Sequence, residues 1–131
     1  MLKVIIDTNV IISAALSPKG NAARIINIID DNQEIQIFFS SEILDEYKEV
    51  LSRERLNIKP EAQICIINTI IKVGMLIKPT GSEIPLPDES DRNFYDTALE
   101  AGATLITGNK KHYPAENFIV TPAEFLSIWC H

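Results

Sequence analysis

The chain has 131 residues, a net charge of −6, 46% hydrophobic and 23% charged residues. That is the size and composition of one globular domain, and residues 1–131 read as a single domain with no linker. The acidic balance argues against broad non-specific binding of nucleic acid, but not against a nucleic-acid enzyme whose carboxylates hold metal ions. No apolar run reaches the roughly 18 residues that a membrane span needs, and there is no signal-peptide pattern, so the expected site is cytoplasmic and away from membranes. Cys65 and Cys130 show neither CxxC nor zinc spacing. Both are expected to be reduced, Cys65 as a small core residue and Cys130 in a frayed tail.

Leu2 to Ile6 is a short apolar run rich in β-branched residues that stops on Asp7. Such a run reads as a strand buried on both faces, hence in a parallel sheet, where ligands bind beyond the carboxyl ends of the strands. A short helix over Asn9 to Leu16 follows, then a loop closed by Pro18 and Gly20. The next helix runs from Asn21, a suitable cap, to Asp31. Ile35 to Phe39 reads as a second strand. Ser40 and Ser41 cap a helix from Glu42 to about Ser52 whose apolar face is Ile43, Leu44, Tyr47, Val50 and Leu51. Pro60 opens a helix through Val73 that carries Ile64, Ile67, Ile70 and Ile71, with Gly74 at its end. Met75 to Ile77 fits a short third strand.

Residues 79–87 hold three prolines and a glycine, which makes an irregular loop. A helix from about Asp91 to Ala101 follows, with Phe94, Ala98 and Leu99 inward, and Gly102 ends it. Ala103 to Thr107 is a strand, and Gly108 to Pro114 the loop beyond it. Phe118 to Val120 is a last strand. Thr121, Pro122 and Glu124 make a capping box with proline in the first turn, so the closing helix runs to about Trp129. Strands alternating with helices imply a parallel sheet covered on both faces.

Three acids stand where this architecture puts chemistry. Asp7 ends the first strand, Glu46 lies a turn into the helix after the second, and Asp91 begins the helix before the fourth. Each alone has an ordinary explanation as a helix cap or a solvated acid. Brought to one sheet edge they would raise one another's pKa unless a cation neutralised them, and an all-oxygen set without cysteine suits Mg²⁺ or Mn²⁺. Such ions activate water for attack on phosphate esters.

The chain resembles PIN-domain nucleases, in the group that supplies the toxins of toxin–antitoxin modules. The carriers are Ile6-Asp7-Thr8-Asn9-Val10, Ser41 to Leu51 with Glu46, and Asp91 to Leu99 running through Gly102-Ala103 into Leu105-Ile106-Thr107-Gly108-Asn109. The resemblance implies a PIN-like three-layer α/β/α sandwich with a central parallel sheet of four to five strands. It implies a Mg²⁺- or Mn²⁺-dependent endoribonuclease with Asp7, Glu46 and Asp91 as catalytic metal ligands. Thr8 or Asn9, with Thr107, would support them by hydrogen bonds from outside the metal's own ligands. RNA is the implied substrate, an antitoxin the implied protein partner, and a homodimer the implied assembly, for which the isoleucine-rich segment 64–77 offers apolar surface.

One position departs from the family pattern: many members carry a fourth acid where this chain has Asn109. An amide oxygen can ligate a metal but brings no charge. Asp88 is the better substitute for that acid; Asp96, about 140° round the helix from Asp91, is expected to be solvated. Lys110, Lys111 and Arg92 are candidates to hold the RNA backbone, with His112 and Lys19 extending the strip and no acid–base role for His112. Tyr113 and Phe94 are expected to be packing residues. The alternative function is a weakly active or inactive PIN-fold module that binds a protein or RNA. A phosphatase-like domain with Asp7 as nucleophile is a third class, disfavoured because Asn9 stands where that chemistry wants a second aspartate.

Overall fold

The first strand, β1 (Leu2–Ile6), lies at the centre of a five-stranded parallel sheet. The computed structural model describes residues 1–129, so Cys130 lies outside the described residues. Consecutive side chains of a strand face opposite sides of its sheet. Val4, Ile5 and Ile6 are each 0% exposed. Both faces are therefore covered by helices, which gives the three layers expected from the alternation of elements. The other strands are β2 (Ile35–Phe39), β3 (Met75–Leu76), β4 (Thr104–Ile106) and β5 (Ile119–Val120). Their order is β3-β2-β1-β4-β5, with Val4 opposite both Ile37 and Thr104, and Ile6 opposite Ile106.

That order contains a reversal. The chain steps outward from β1 to β2 and β3, then returns to the far side of β1 to lay down β4 and β5. Crevices for ligands open at such a reversal, beyond the carboxyl ends of the two diverging strands. Here those strands are β1 and β4, and the amide of Asp7 continues their ladder by donating to the Ile106 carbonyl at 2.9 Å.

Six helices surround the sheet: α1 (Thr8–Leu16), α2 (Asn21–Asp31), α3 (Ser41–Leu51), α4 (Pro60–Val73), α5 (Arg92–Ala101) and α6 (Pro122–Trp129). Ser40 caps α3 by accepting from the Ile43 amide at 3.1 Å. The box before α6 is reciprocal: Glu124 accepts from the Thr121 amide at 2.8 Å, and Thr121 Oγ1 from the Glu124 amide at 3.2 Å. Asn21, expected as a cap, is instead the first residue of α2 behind Gly20. Gly102 ends α5 at φ 64°, the left-handed region that glycine enters freely. Gly74 has another reason. Its φ is −89°, but a Cβ there would sit 2.4 Å from the Ile70 carbonyl and 2.6 Å from the Phe39 ring.

Three burial expectations are overturned. Cys65 is exposed, because α4 turns only Ile67 and Ile70 fully inward. Ile64 and Ile71 on the same helix are 60% and 48% exposed. Leu99 is 40% exposed, since α5 buries Phe94 through Ala98 and Ala101 instead. Asp96 is buried rather than solvated. Its carboxylate accepts from the Ser82 amide at 3.0 Å and from the Ser82 hydroxyl, and Arg92 Nη1 lies 3.5 Å away. The proline-rich loop folds back over α5 and supplies the partners that make this burial tolerable.

Candidate metal centre

Asp7 caps α1 from the end of β1 and is 5% exposed. Its Oδ2 accepts from Thr107 Oγ1 at 2.8 Å and from the Tyr113 hydroxyl at 2.9 Å, with Asn9 Nδ2 at 3.4 Å. Oδ1 receives none of these side-chain donors. Burial pushes the carboxyl pKa above its ordinary value, and the Thr107 and Tyr113 hydrogen bonds pull against that shift. Tyr113 packs as expected, at 4% exposure, but it also donates to the central carboxylate. Sequence reading missed that role because a tyrosine beyond a strand carries no local sign of what its hydroxyl meets.

Asn9 and Thr107 stand where the expected supporting residues should be. Asn9 Oδ1 accepts from the Gly108 amide at 2.9 Å, which ties the start of α1 to the loop after β4. Thr107 Oγ1 accepts from the Asn109 amide at 3.1 Å. Thr8 Oγ1 donates to Glu46 Oε2, so the residue after Asp7 holds the glutamate that α3 brings in. One residue further along α3, fully buried Tyr47 donates its hydroxyl to the Ile6 carbonyl and fixes the helix against the strand end.

Asp88, Asp91 and His112 offer ligand atoms that all lie within 4.8 Å of one another. Asp7 and Glu46 stand outside that group but act on it. Burial, then the nearby charges of Asp7 and Asp88, push the Asp91 carboxyl up to about 6. His112 Nδ1 is 3.3 Å from Asp91 Oδ2. Asp91 Oδ2 is enclosed and has no hydrogen-bond partner among the described residues. His112 Nε2 faces Asn109 Nδ2 at 3.0 Å. Asp88 Oδ1 accepts from the Ser90 amide and hydroxyl at 2.9 and 2.8 Å, which lowers its pKa.

The cationic candidates fare differently. Arg92 is committed within its own segment, to Glu89 at 2.6 Å, to the Ser82 carbonyl at 2.8 Å and to the Ile84 carbonyl at 2.7 Å. Lys110 pairs with Glu124 at 3.2 Å. Lys111 is exposed and makes no hydrogen bond or ion pair among the described residues. Lys19 is exposed in the loop between α1 and α2.

A divalent cation suits this arrangement. An enclosed carboxylate oxygen lacks a partner among the described residues, and two carboxyls are held above their ordinary pKa, both by burial and Asp91 also by its acidic neighbours. The donors are hard carboxylate oxygens with one imidazole beside them, the chemistry of Mg²⁺- and Mn²⁺-type sites.

The fold and this centre define a class, and comparison with known proteins agrees. The PIN domain family profile matches residues 3–111, and the chain belongs to that family. The resemblance carried by the Asp7, Glu46 and Asp91 stretches is thus borne out as family membership. The uncharacterized protein MJ1680 of Methanocaldococcus jannaschii is 31% identical, over 95% of this chain and 90% of that one. The crystal structure of PAE2754 from Pyrobaculum aerophilum superposes with a TM-score of 0.62 at 11% identity, covering 98% of this chain and 90% of that chain. VapBC2 from Rickettsia felis, solved bound to a DNA fragment from its promoter, superposes at 0.57 with 16% identity, covering 92% of this chain and 97% of that one. At such identities the two structures speak for the fold. No helix among the described residues is long and apolar enough to cross a membrane.

Proposed function

We propose that this chain is a Mg²⁺- or Mn²⁺-dependent endoribonuclease, the toxin of a toxin–antitoxin pair, acting in the cytoplasm. The observation that carries this reading is the gathering of Asp7, Glu46 and Asp91 around the β1/β4 crevice, with an enclosed, unpartnered oxygen on Asp91. Asp7, Asp91 and Glu46 would hold the cation, with Asp88 beside Asp91. Bound there, such a cation would activate water and neutralise charge on the phosphodiester. Thr107 and Tyr113 fix the plane of the Asp7 carboxylate, and Thr8 does the same for Glu46. A ligand held in one orientation binds without first losing rotamer freedom. Lys111, with Lys110 once its Glu124 pair is exchanged for phosphate, would track the RNA backbone.

The toxin reading rests on family kinship and on the VapBC2 likeness, and it implies an antitoxin partner. Exposed Ile64, Ile71, Met75 and Leu76 support the pairing of two copies of the chain. The test is direct. The wild-type protein should cut RNA internally only with Mn²⁺ or Mg²⁺ present, and should be stabilised by those ions. Asp7→Asn should lose both effects. Absence of any metal effect on stability and cleavage defeats the reading. The alternative, a weakly active binding module, draws on Asn109, which stands where relatives carry an acid. On that view Asn109→Asp raises cleavage, and no gain removes it.

A further inference from the structure

His112 is not needed for the mechanism above, yet it joins Asp88 and Asp91 in the group whose ligand atoms lie within 4.8 Å of one another. Its ring is held between two unlike neighbours. Nδ1 points toward Asp91 Oδ2 at 3.3 Å, and Nε2 meets the Asn109 amide at 3.0 Å. Those two nitrogens divide the roles that a metal-binding histidine requires. One must present a lone pair to the ion, and the other must give its N–H to an acceptor that fixes the tautomer and the ring plane. A side-chain amide can serve as that acceptor by turning its carbonyl oxygen to the ring.

We propose that Asp88, Asp91 and His112 form a divalent-metal position of their own, with an imidazole ligand, and that Asn109 orients the imidazole from outside it. Asp91 is common to this position and to the one centred on Asp7, so the inference rests on the nuclease reading. Two observations independent of the clustering support it. Asp91 Oδ2 is enclosed without a hydrogen-bond partner on the side where His112 stands. Asp88 is held by Ser90 through a single oxygen, Oδ1. The imidazole gives the position a chemical preference. Two carboxylates and a nitrogen favour Mn²⁺ and later transition ions over Mg²⁺, which takes oxygen almost exclusively. Asn109 then lies three residues before the ligand, His112. Its amide supports that ligand instead of being one.

Mn²⁺ and tag-free full-length protein test this. The chain has two histidines, His112 and His131, so a bound nitrogen can be assigned. Pulsed electron paramagnetic resonance of the Mn²⁺ complex should show ¹⁴N coupling from a directly bound imidazole. The coupling should vanish in His112→Ala and persist in His131→Ala. Asn109→Ala should keep it while weakening Mn²⁺ affinity roughly 10- to 100-fold, the usual effect of removing such a support. Bound Mn²⁺ without nitrogen coupling, or coupling that follows His131, overturns the proposal. Mn²⁺ that is displaced in Asp7→Asn but never nitrogen-coupled overturns this inference and leaves the nuclease reading standing. Nitrogen-coupled Mn²⁺ on a protein that cuts no RNA does the reverse. A protein that binds no Mn²⁺ overturns both.

Discussion

Asp7 and Asp91 are both carboxyls kept protonated to higher pH than usual, and burial is the first cause in each. For Asp7 the Thr107 and Tyr113 hydroxyls and the Thr8 amide oppose the shift. Asp91 is raised by burial and also by the charges of its acidic neighbours. A carboxyl whose folded pKa lies above its unfolded value of 3.8 binds its proton more tightly in the folded chain. The stability this contributes is full below that value and is lost as pH climbs through about 6. Asp88, Glu89 and Glu124 shift the opposite way, so the effect is read by difference. Thermal denaturation without metal should show Asp91→Asn gaining on the wild type as pH rises through that window. Millimolar Mn²⁺ should close the gap by stabilising the wild type alone. A second expectation concerns Tyr113. In Tyr113→Phe the ring still packs but Asp7 loses a donor, so metal affinity should fall while the fold loses only about 1 kcal/mol. Titration calorimetry and denaturant melts separate the two.

Among the elements, α5 and the loop before it act as one unit. Asp96 binds Ser82, and Arg92 ties the Ser82 and Ile84 carbonyls to Glu89. Asp91 is the N-cap of the same helix, so the latch also holds the acid in place. Asp96→Ala leaves the Ser82 amide and part of Arg92 without a partner. It should cost about 2 kcal/mol, the usual worth of hydrogen bonds to a charged group. Limited proteolysis should then cut within residues 79–87, where the wild type resists. The junction of α4 and β3 makes a second test. Gly74→Ala forces a methyl group into the Phe39 ring and should destabilise by about 1–3 kcal/mol, although the backbone angle itself is ordinary.

At the scale of the molecule, sequence pattern carried the architecture further than it carried the neighbours of each side chain. The five strands and six helices follow from periodicity and capping, which are local: the apolar run before Asp7, the Ser40 cap and the Thr121–Glu124 box each lie within one short stretch. Strand order is not local, and nothing in the chain before β4 announces that it will return beside β1. Asp7 and Asp91 sit at element ends, where local pattern can place them, whereas Glu46 lies inside α3. The burial of Asp96 was not legible, since it depends on where a proline-rich loop lands, and helical geometry alone points that side chain to solvent. His112 reads as a rim residue and Tyr113 as packing alone for the same reason: the groups they meet lie just after β1 and just before α5. Net charge belongs to this scale too. With −6 overall and Lys111 the freest cation of the rim, few phosphates should be neutralised on binding. RNA affinity should therefore depend on salt only weakly, and Lys111→Ala should lower the logarithmic salt slope by roughly one.

The Tyr113 and Asp7 side chains that meet at 2.9 Å are 106 positions apart, and Thr107 meets Asp7 across 100. Contacts of such span close late, because the chain between them must first surrender its freedom. A growing polypeptide that has placed β1, β2 and three or four helices still has only one wall of the crevice. On the ribosome, then, the centre cannot assemble before residue 113 has cleared the exit tunnel. Topology alone would thus withhold the proposed nuclease centre until that point of synthesis.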